Sequence, residues 1–467
     1  MSEFPMLIGG AMVEGAAEQD VINPATEGVV AKAPHASAAQ IGEAVAAAKA
    51  AFPAWSARPI AERAAVLSAI ADIVEANLDE LARLTTLEQG KPFPHAQFEV
   101  RGVSGMLRYY ASVDLPVELL EDSAHRRVEL HRRPLGVVAA IIPWNFPLAL
   151  FATKIANALI SGNTVVVKPA ATTPLGTLRI GALIRDVVPA GVLNIVSDAN
   201  DLGAVLTDHP DVRKITFTGS TETGKKVMAS AASDLKRVTL ELGGNDAAIV
   251  LDDADPKKVA QGLFQGAFAN SGQVCLAIKR VYADERVYDS LVEELATLAN
   301  AAVVGDGLEQ GTQFGPLQNK AQYERIKSLI EDARSHGTIV AGGEASDGKG
   351  YFITPTIVRD IEDGTRLVDE EQFGPILPVI KVKDAEDALR RANASPYGLG
   401  GSVWSSDTGR AAALAARMDT GTAWVNKTLD LGPTIPFAGA KSSGLGVEYG
   451  VEGLHEFTQV HVVNIAK

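Results

Sequence analysis

The chain has 467 residues, 46% of them apolar and 6% aromatic, and its 43 Lys and Arg against 57 Asp and Glu give a net charge of −14. That length and apolar content exclude a mainly disordered chain and predict two or three globular domains. The acidic balance, with no Lys/Arg-rich block, excludes nucleic acid or an anionic membrane as the main partner, because phosphate binding needs clustered positive charge; a small molecule is expected instead.

In chain order, small and apolar residues recur at helical spacing over 40–51 and over 60–84, where Ile60, Ala64, Leu67, Ile70 and Val74 share a stripe. Segment 113–134 alternates like two extended strands with a polar bend, readable equally as a hairpin reaching another subunit or as a plain surface hairpin. The uncharged stretch Pro134 to Thr153 has the length of a membrane span but holds Pro143, Asn145 and Pro147, so a strand, a turn and a helix fit it better. From 135 to 245 strands alternate with helices, as in a parallel sheet covered by helices. The strands are 137–142, 164–168, 192–196, 214–217 and 237–241; the helices are 149–161, 175–187 and 222–232. A second α/β set follows Gly243, with strands near 247–251 and 278–283 and helices at 256–269 and 285–302. Asp255-Pro256 reads as an N-cap and first helical residue, which makes the acidic run 252–255 capping chemistry. One cysteine, Cys275, excludes an intrachain disulfide, and the start Met1-Ser2-Glu3-Phe4 lacks the features of a secretory leader, so a cytoplasmic location is expected.

Ligands of open parallel sheets bind beyond the carboxyl ends of the strands. The residues there are Pro143-Trp144-Asn145-Phe146-Pro147, Lys168-Pro169-Ala170, Thr218-Gly219-Ser220-Thr221 and Glu241-Leu242-Gly243-Gly244-Asn245. Gly219 to Lys226 nearly matches the phosphate-cradling G-x-x-x-x-G-K-[ST], but Lys226 stands where a hydroxyl must hold Mg²⁺. A nucleotide triphosphatase is thereby disfavoured, whereas a pyrophosphate at the helix N-terminus is not. No G-x-G-x-x-G follows a strand. Cys275, after Asn270-Ser271-Gly272-Gln273-Val274, is either a small buried hydrophobe or a nucleophile, for which Glu241 and Asn145 are the candidate base and oxyanion donor. The eight histidines include no His-Glu-x-x-His and no pair three or four apart, so no metal site is expected.

Together these motifs resemble the aldehyde dehydrogenase superfamily over essentially the whole chain. They stand in family order and continue through Gly272-Gln273-Val274-Cys275, Glu370-Glu371-Gln372-Phe373-Gly374-Pro375 and Pro436-Phe437-Ala438-Gly439-Ala440-Lys441-Ser442-Ser443-Gly444. The resemblance implies an α/β fold with a parallel-sheet dinucleotide-binding domain (1–112 and 135–243), a catalytic α/β domain (244–442) and oligomerisation or bridging segments (113–134 and 443–467). It implies Cys275 as the nucleophile that forms a thiohemiacetal and then a thioester, the Asn145 amide and the Cys275 N–H as oxyanion donors, and Glu241 as the base for hydrolysis to the free acid. Cofactor contacts would come from Trp144, Lys168, Ala171, Gly219, Ser220, Leu242, Glu371 and Phe373. A homodimer or homotetramer is implied as well.

Two expectations follow from departures. Many NAD-preferring members carry Glu where this chain has Ala171, so use of both NAD and NADP is expected, with Lys168 pairing with the extra phosphate. Near the end, Ala438-Gly439 and Val447-Glu448 replace the usual Gly-Gly and Arg-Glu. The substrate tunnel maps to Phe146, Leu150, Thr153, Ala269, Val274, Leu276, Leu429, Leu431 and Phe437. These are mostly apolar and favour an uncharged aliphatic or aromatic aldehyde, although Lys427 is near enough in sequence to reach in. The alternatives are a thiol esterase on the same fold and a catalytically silent binding protein.

Overall fold

The strand–helix rhythm after residue 135 builds an open parallel sheet in the computed structural model of the chain, which describes residues 3–467. Met1 and Ser2, which open the start discussed above, lie outside the described residues. The five parallel strands run, across the sheet, Leu193–Ile195, Thr164–Lys168, Val137–Ile141, Val212–Thr218 and Arg237–Glu241. Every residue of Thr164–Lys168 and Val137–Ile141 is buried, because helices cover both faces and leave no polar side for alternation. Antiparallel edges are added by Met6–Ile8 with Ala11–Val13 on one side and by Gly444–Leu445 on the other.

This order places the switch point between Val137–Ile141 and Val212–Thr218, from which successive strands are added in opposite directions, and ligands of such sheets sit in the crevice outside it. The register sets Ile141, Lys168 and Phe217 level at that rim, with Thr218 and Glu241 level one residue beyond. Ile141 pairs with both Lys168 and Phe217, and Thr218 pairs with Glu241.

After a four-residue link from Glu241, Asp246–Val250 opens a second sheet, ordered Thr338–Ala341, Thr356–Arg359, Ile376–Val382, Ile278–Asp284, Asp246–Val250, Gly400–Trp404 and Thr422–Val425. All neighbours are parallel except the first pair. The short Leu242–Asn245 link therefore holds the amino edge of the second sheet against the carboxyl rim of the first. A separate three-stranded sheet joins Glu118–Asp122, Arg126–Pro134 and Thr458–Ala466. Its outer strands leave Leu119, Leu120, Val460, Val462 and Ile465 exposed.

Element bounds shift by a few residues from the sequence reading, and one helix divides. The 60–84 stripe is two helices, Ile60–Ala76 and Leu78–Gln89, parted at Asn77, whose side chain donates to the Ile73 carbonyl and closes the first. The Asp255 cap is found as read, its carboxylate accepting from Lys257 N ahead of Pro256 at the first turn.

Candidate active site

Cys275 lies in the link between helix Pro256–Phe268 and strand Ile278–Asp284. Three consecutive residues ahead of it, Asn270, Ser271 and Gly272, have φ of 49°, 56° and 75°, a left-handed run that only a tightly held loop sustains. At Gly272 a Cβ would stand 2.3 Å from the Gly374 carbonyl oxygen, so glycine is required there and ties the loop to the 370–375 segment. Cys275 itself is partly exposed, between buried Val274 and Leu276.

Asn145, at the switch-point rim, is brought to this loop: its Nδ2 donates to the Gln273 carbonyl at 3.0 Å. The amide has a second N–H, which that bond leaves for another acceptor. The Asn145 carbonyl is held by Lys91 Nζ at 2.9 Å and Asn270 Nδ2 at 3.1 Å. Lys91 forms a fully buried ion pair with Glu99, whose other oxygen accepts from Leu148 N and Ala149 N at the start of helix Pro147–Ile160. A carboxylate there matches the positive helix end. Glu88 does the same for helix Leu175–Ile184, accepting from Leu175 N and Gly176 N, and its burial pushes its carboxyl up to about 8. None of Lys91, Glu99 and Glu88 was singled out from sequence; Lys91 and Glu99 stand 8 residues apart and their backbone partners, like those of Glu88, lie 49 to 88 residues away.

Glu241 is buried, and neither carboxylate oxygen has a hydrogen-bond partner among the described residues. Burial, reinforced by Glu448, raises its carboxyl well above the usual range. Glu448 pairs with fully buried Lys154 at 2.7 Å, and Lys154 also donates to Thr216 Oγ1. The Cys275 thiol is pushed up to about 12, chiefly by burial, with the carboxylates of Glu241, Asp246 and Glu371 adding to the shift and Lys279 opposing it. Lys279 donates to the Cys275 and Val274 carbonyls at 2.6 and 2.9 Å and lies 3.7 Å from Glu371 Oε1. It is a cation behind the nucleophile that no sequence motif announced.

Glu371 accepts from Gly244 N at 3.0 Å, and a Cβ on Gly244 would stand 2.6 Å from the Cys275 carbonyl oxygen. Phe373 meets Trp144 edge to face at 5.3 Å. Gly219 and Ser220 lead into helix Thr221–Ala232; Ser220 Oγ caps it by accepting from Thr223 N, and the remaining first-turn amides have no acceptor within the helix. Buried Leu242 fills the space beside Gly224, where a Cβ would come within 2.4 Å of it. With Ala171 partly exposed at the next strand's rim, the first sheet offers a continuous edge of helix amides, ring edges and one carboxylate, chemistry that fits a pyridine dinucleotide. Lys168, expected to be free for a phosphate, is not: its Nζ lies 2.5 Å from Asp198 Oδ1.

Of the tunnel residues, Phe146, Ala269, Val274, Leu276, Leu429, Leu431 and Phe437 form one apolar cluster with Cys275, and Ala277, Leu399, Trp424 and Tyr449 complete it. Phe146 lies under the Lys91 ammonium, 3.7 Å from ring centroid to nitrogen. Thr153 reaches the cluster through Tyr449, their hydroxyl oxygens 3.4 Å apart. Leu150 does not belong to it; it packs against the first-sheet core, because the helix it shares with Thr153 turns that side chain aside. Lys427 pairs with Asp430 and supplies no charge to the cluster.

Residues 12–463 match the model of the aldehyde dehydrogenase family. The chain is 39% identical to the phenylacetaldehyde dehydrogenase of Pseudomonas fluorescens, over 99% of this chain and 95% of that one. It is 40% identical to retinaldehyde dehydrogenase 3 of Mus musculus, over 95% and 88%. Among solved structures, the NAD⁺ complex of the aldehyde dehydrogenase from Bacillus cereus superposes with a TM-score of 0.97 at 38% identity, covering 99% of this chain and 96% of that one.

Proposed function

The chain belongs to the aldehyde dehydrogenase family as a pyridine-nucleotide-dependent enzyme, and from that premise we propose that it oxidises an uncharged aliphatic or aromatic aldehyde to the free acid through covalent chemistry at Cys275. The observation that carries this reading is the convergence at one thiol of an amide donor, an unpartnered buried carboxylate and an apolar cluster.

The partly exposed Cys275 thiol gives its proton to solvent and its sulfur, as thiolate, attacks the aldehyde carbon, and the new oxyanion takes hydrogen bonds from the free Asn145 N–H and the Cys275 backbone N–H. Removing one such donor costs about 10²–10³ in rate. Glu371, Phe373, Trp144, Lys168, Ser220 and Leu242 would hold the coenzyme, which would supply the hydride acceptor when bound. Hydride loss leaves a thioester on Cys275. Glu241, with both oxygens free, then takes a proton from the attacking water, and the thiolate departs with the acid as product. Burial raises this carboxyl above the ordinary carboxylate range, which makes it a stronger base toward water.

The apolar cluster and the chemistry named for the two curated relatives, phenylacetaldehyde and retinaldehyde, support an uncharged substrate. The apolar outer strands of the 118–134/458–466 sheet support a homodimer or homotetramer, which light scattering measures. A single reactive thiol suits a reducing compartment such as the cytoplasm. The test is an aldehyde panel with each nucleotide, read at 340 nm. The parent should reduce nucleotide with phenyl- or alkyl-substituted aldehydes, and Cys275→Ala should not. Ester turnover without any absorbance rise would favour a thiol esterase.

A further inference from the structure

The coenzyme end of the first sheet contains a second carboxylate that bears on the reading above, and the inference rests on that reading. In dinucleotide-binding sheets the carboxyl end of the strand next to the central one carries the acidic group that meets the ribose 2′-hydroxyl and turns a 2′-phosphate away. In the observed order that strand is Thr164–Lys168. It ends in a lysine, and Ala171 follows, so the strand itself offers no carboxylate. By itself, such an end presents a free cation to a 2′-phosphate.

The neighbouring strand changes this. Beyond Leu193–Ile195 the chain reaches Asp198, whose Oδ1 lies 2.5 Å from Lys168 Nζ, with both side chains almost wholly buried. The other carboxylate oxygen accepts from Leu202 N at 2.9 Å. Gln19 Nε2 donates to the Asp198 carbonyl at 2.8 Å and reaches the Ala171 carbonyl at 3.4 Å, bridging the two strand ends. Asn200, at φ 66°, turns its Oδ1 to within 3.4 Å of Lys168 Nζ and of Ala171 N. Asp201, with His35 Nε2 3.1 Å from its carboxylate, follows on the same loop. Lys168 is thus neutralised in place by a carboxylate fixed at both oxygens.

We propose that Asp198 selects NAD over NADP by holding the charge of Lys168. A 2′-phosphate arriving at Lys168 meets a carboxylate already seated on that ammonium. It must then share the cation with a like charge or break a buried pair, and both weaken its binding. The discrimination that an acidic residue three positions after Lys168 would give from the same strand comes here from the next strand.

The test is calorimetric titration of the purified protein with NAD and with NADP separately, without aldehyde, so that it does not depend on turnover. In the parent, the NADP dissociation constant should exceed that for NAD by about tenfold or more. In Asp198→Asn, which keeps the acceptor for Leu202 and removes the charge, the ratio should fall by about tenfold, equivalent to ~1.4 kcal/mol. Asp198→Ser, whose hydroxyl still accepts from Leu202, should shift the ratio the same way, with thermal unfolding confirming that at least one variant is folded. Equal affinities in the parent, or an unchanged ratio in a folded variant, would overturn the proposal. If the parent binds neither nucleotide, the coenzyme reading fails and the proposal fails with it, an outcome the ratio keeps distinct.

Discussion

Glu99 and Glu241 are both buried carboxylates near the switch-point rim, and their surroundings are opposite. Glu99 is saturated, with Lys91 on one oxygen and the two amides that open helix Pro147–Ile160 on the other. Glu241, at the end of its strand, has no partner on either oxygen among the described residues and faces the pressure of Glu448 as well. A buried acid left unmatched destabilises the fold, whereas a matched one anchors it. The comparison separates the group that fixes the position of Asn145 from the group available to handle a proton.

The largest effect should come from Glu241→Gln. Steady turnover should fall about 10²–10⁴-fold while the first hydride transfer persists as a burst at 340 nm. The same substitution should not cost stability. Because burial raises the folded-state carboxyl above its unfolded value, its stabilising contribution is present at low pH and is lost as pH rises through the folded-state value. The melting temperature of Glu241→Gln relative to the parent should therefore improve as pH rises above about 5, and a relative decline would break the contrast.

Glu99→Ala should behave in the reverse manner, leaving the Lys91 ammonium buried without its counter-charge, with only the Asn145 carbonyl as acceptor, and two helix amides without theirs. About 3–5 kcal/mol of stability should be lost, read by denaturant unfolding. A change under about 1 kcal/mol would show that Glu99 is not the anchor described. Asn145→Ala should lower kcat about 10²–10³-fold and, because it also strips the buried Gln273 carbonyl of its donor, cost about 1–3 kcal/mol of stability. The smallest effect should be that of Lys279→Met. With the opposing cation gone, the thiol should rise further, and alkylation by iodoacetamide at about pH 8 should slow by roughly 3–10-fold.

The sequence made the rim legible because short-range rules place it. Strand ends are marked by Pro143, Lys168, Gly219 and Gly243, and chemistry gathers at strand ends in parallel sheets. Glu241 and Asn145 were reached this way and Cys275 as the lone cysteine, and the loop geometry that joins Asn145 to Gln273 was not. What stayed hidden depends on pairings that only the fold makes, over separations from 8 to 294 residues. Lys91 with Glu99, Lys154 with Glu448 and Lys168 with Asp198 are ordinary charged residues until folding buries them together. Lys279 was obscured because its acceptors are backbone carbonyls, which no side-chain pattern records. Leu150 was assigned to the tunnel by resemblance, which does not say which neighbour a helix face meets, and the break at Asn77 was missed because the apolar stripe runs through it.

The most direct test of the covalent route is mass spectrometry of Glu241→Gln quenched after mixing with nucleotide and a reactive aldehyde. The account predicts an acyl adduct on the peptide containing Cys275, in step with the hydride burst. A burst of the same size with that peptide unmodified would contradict it.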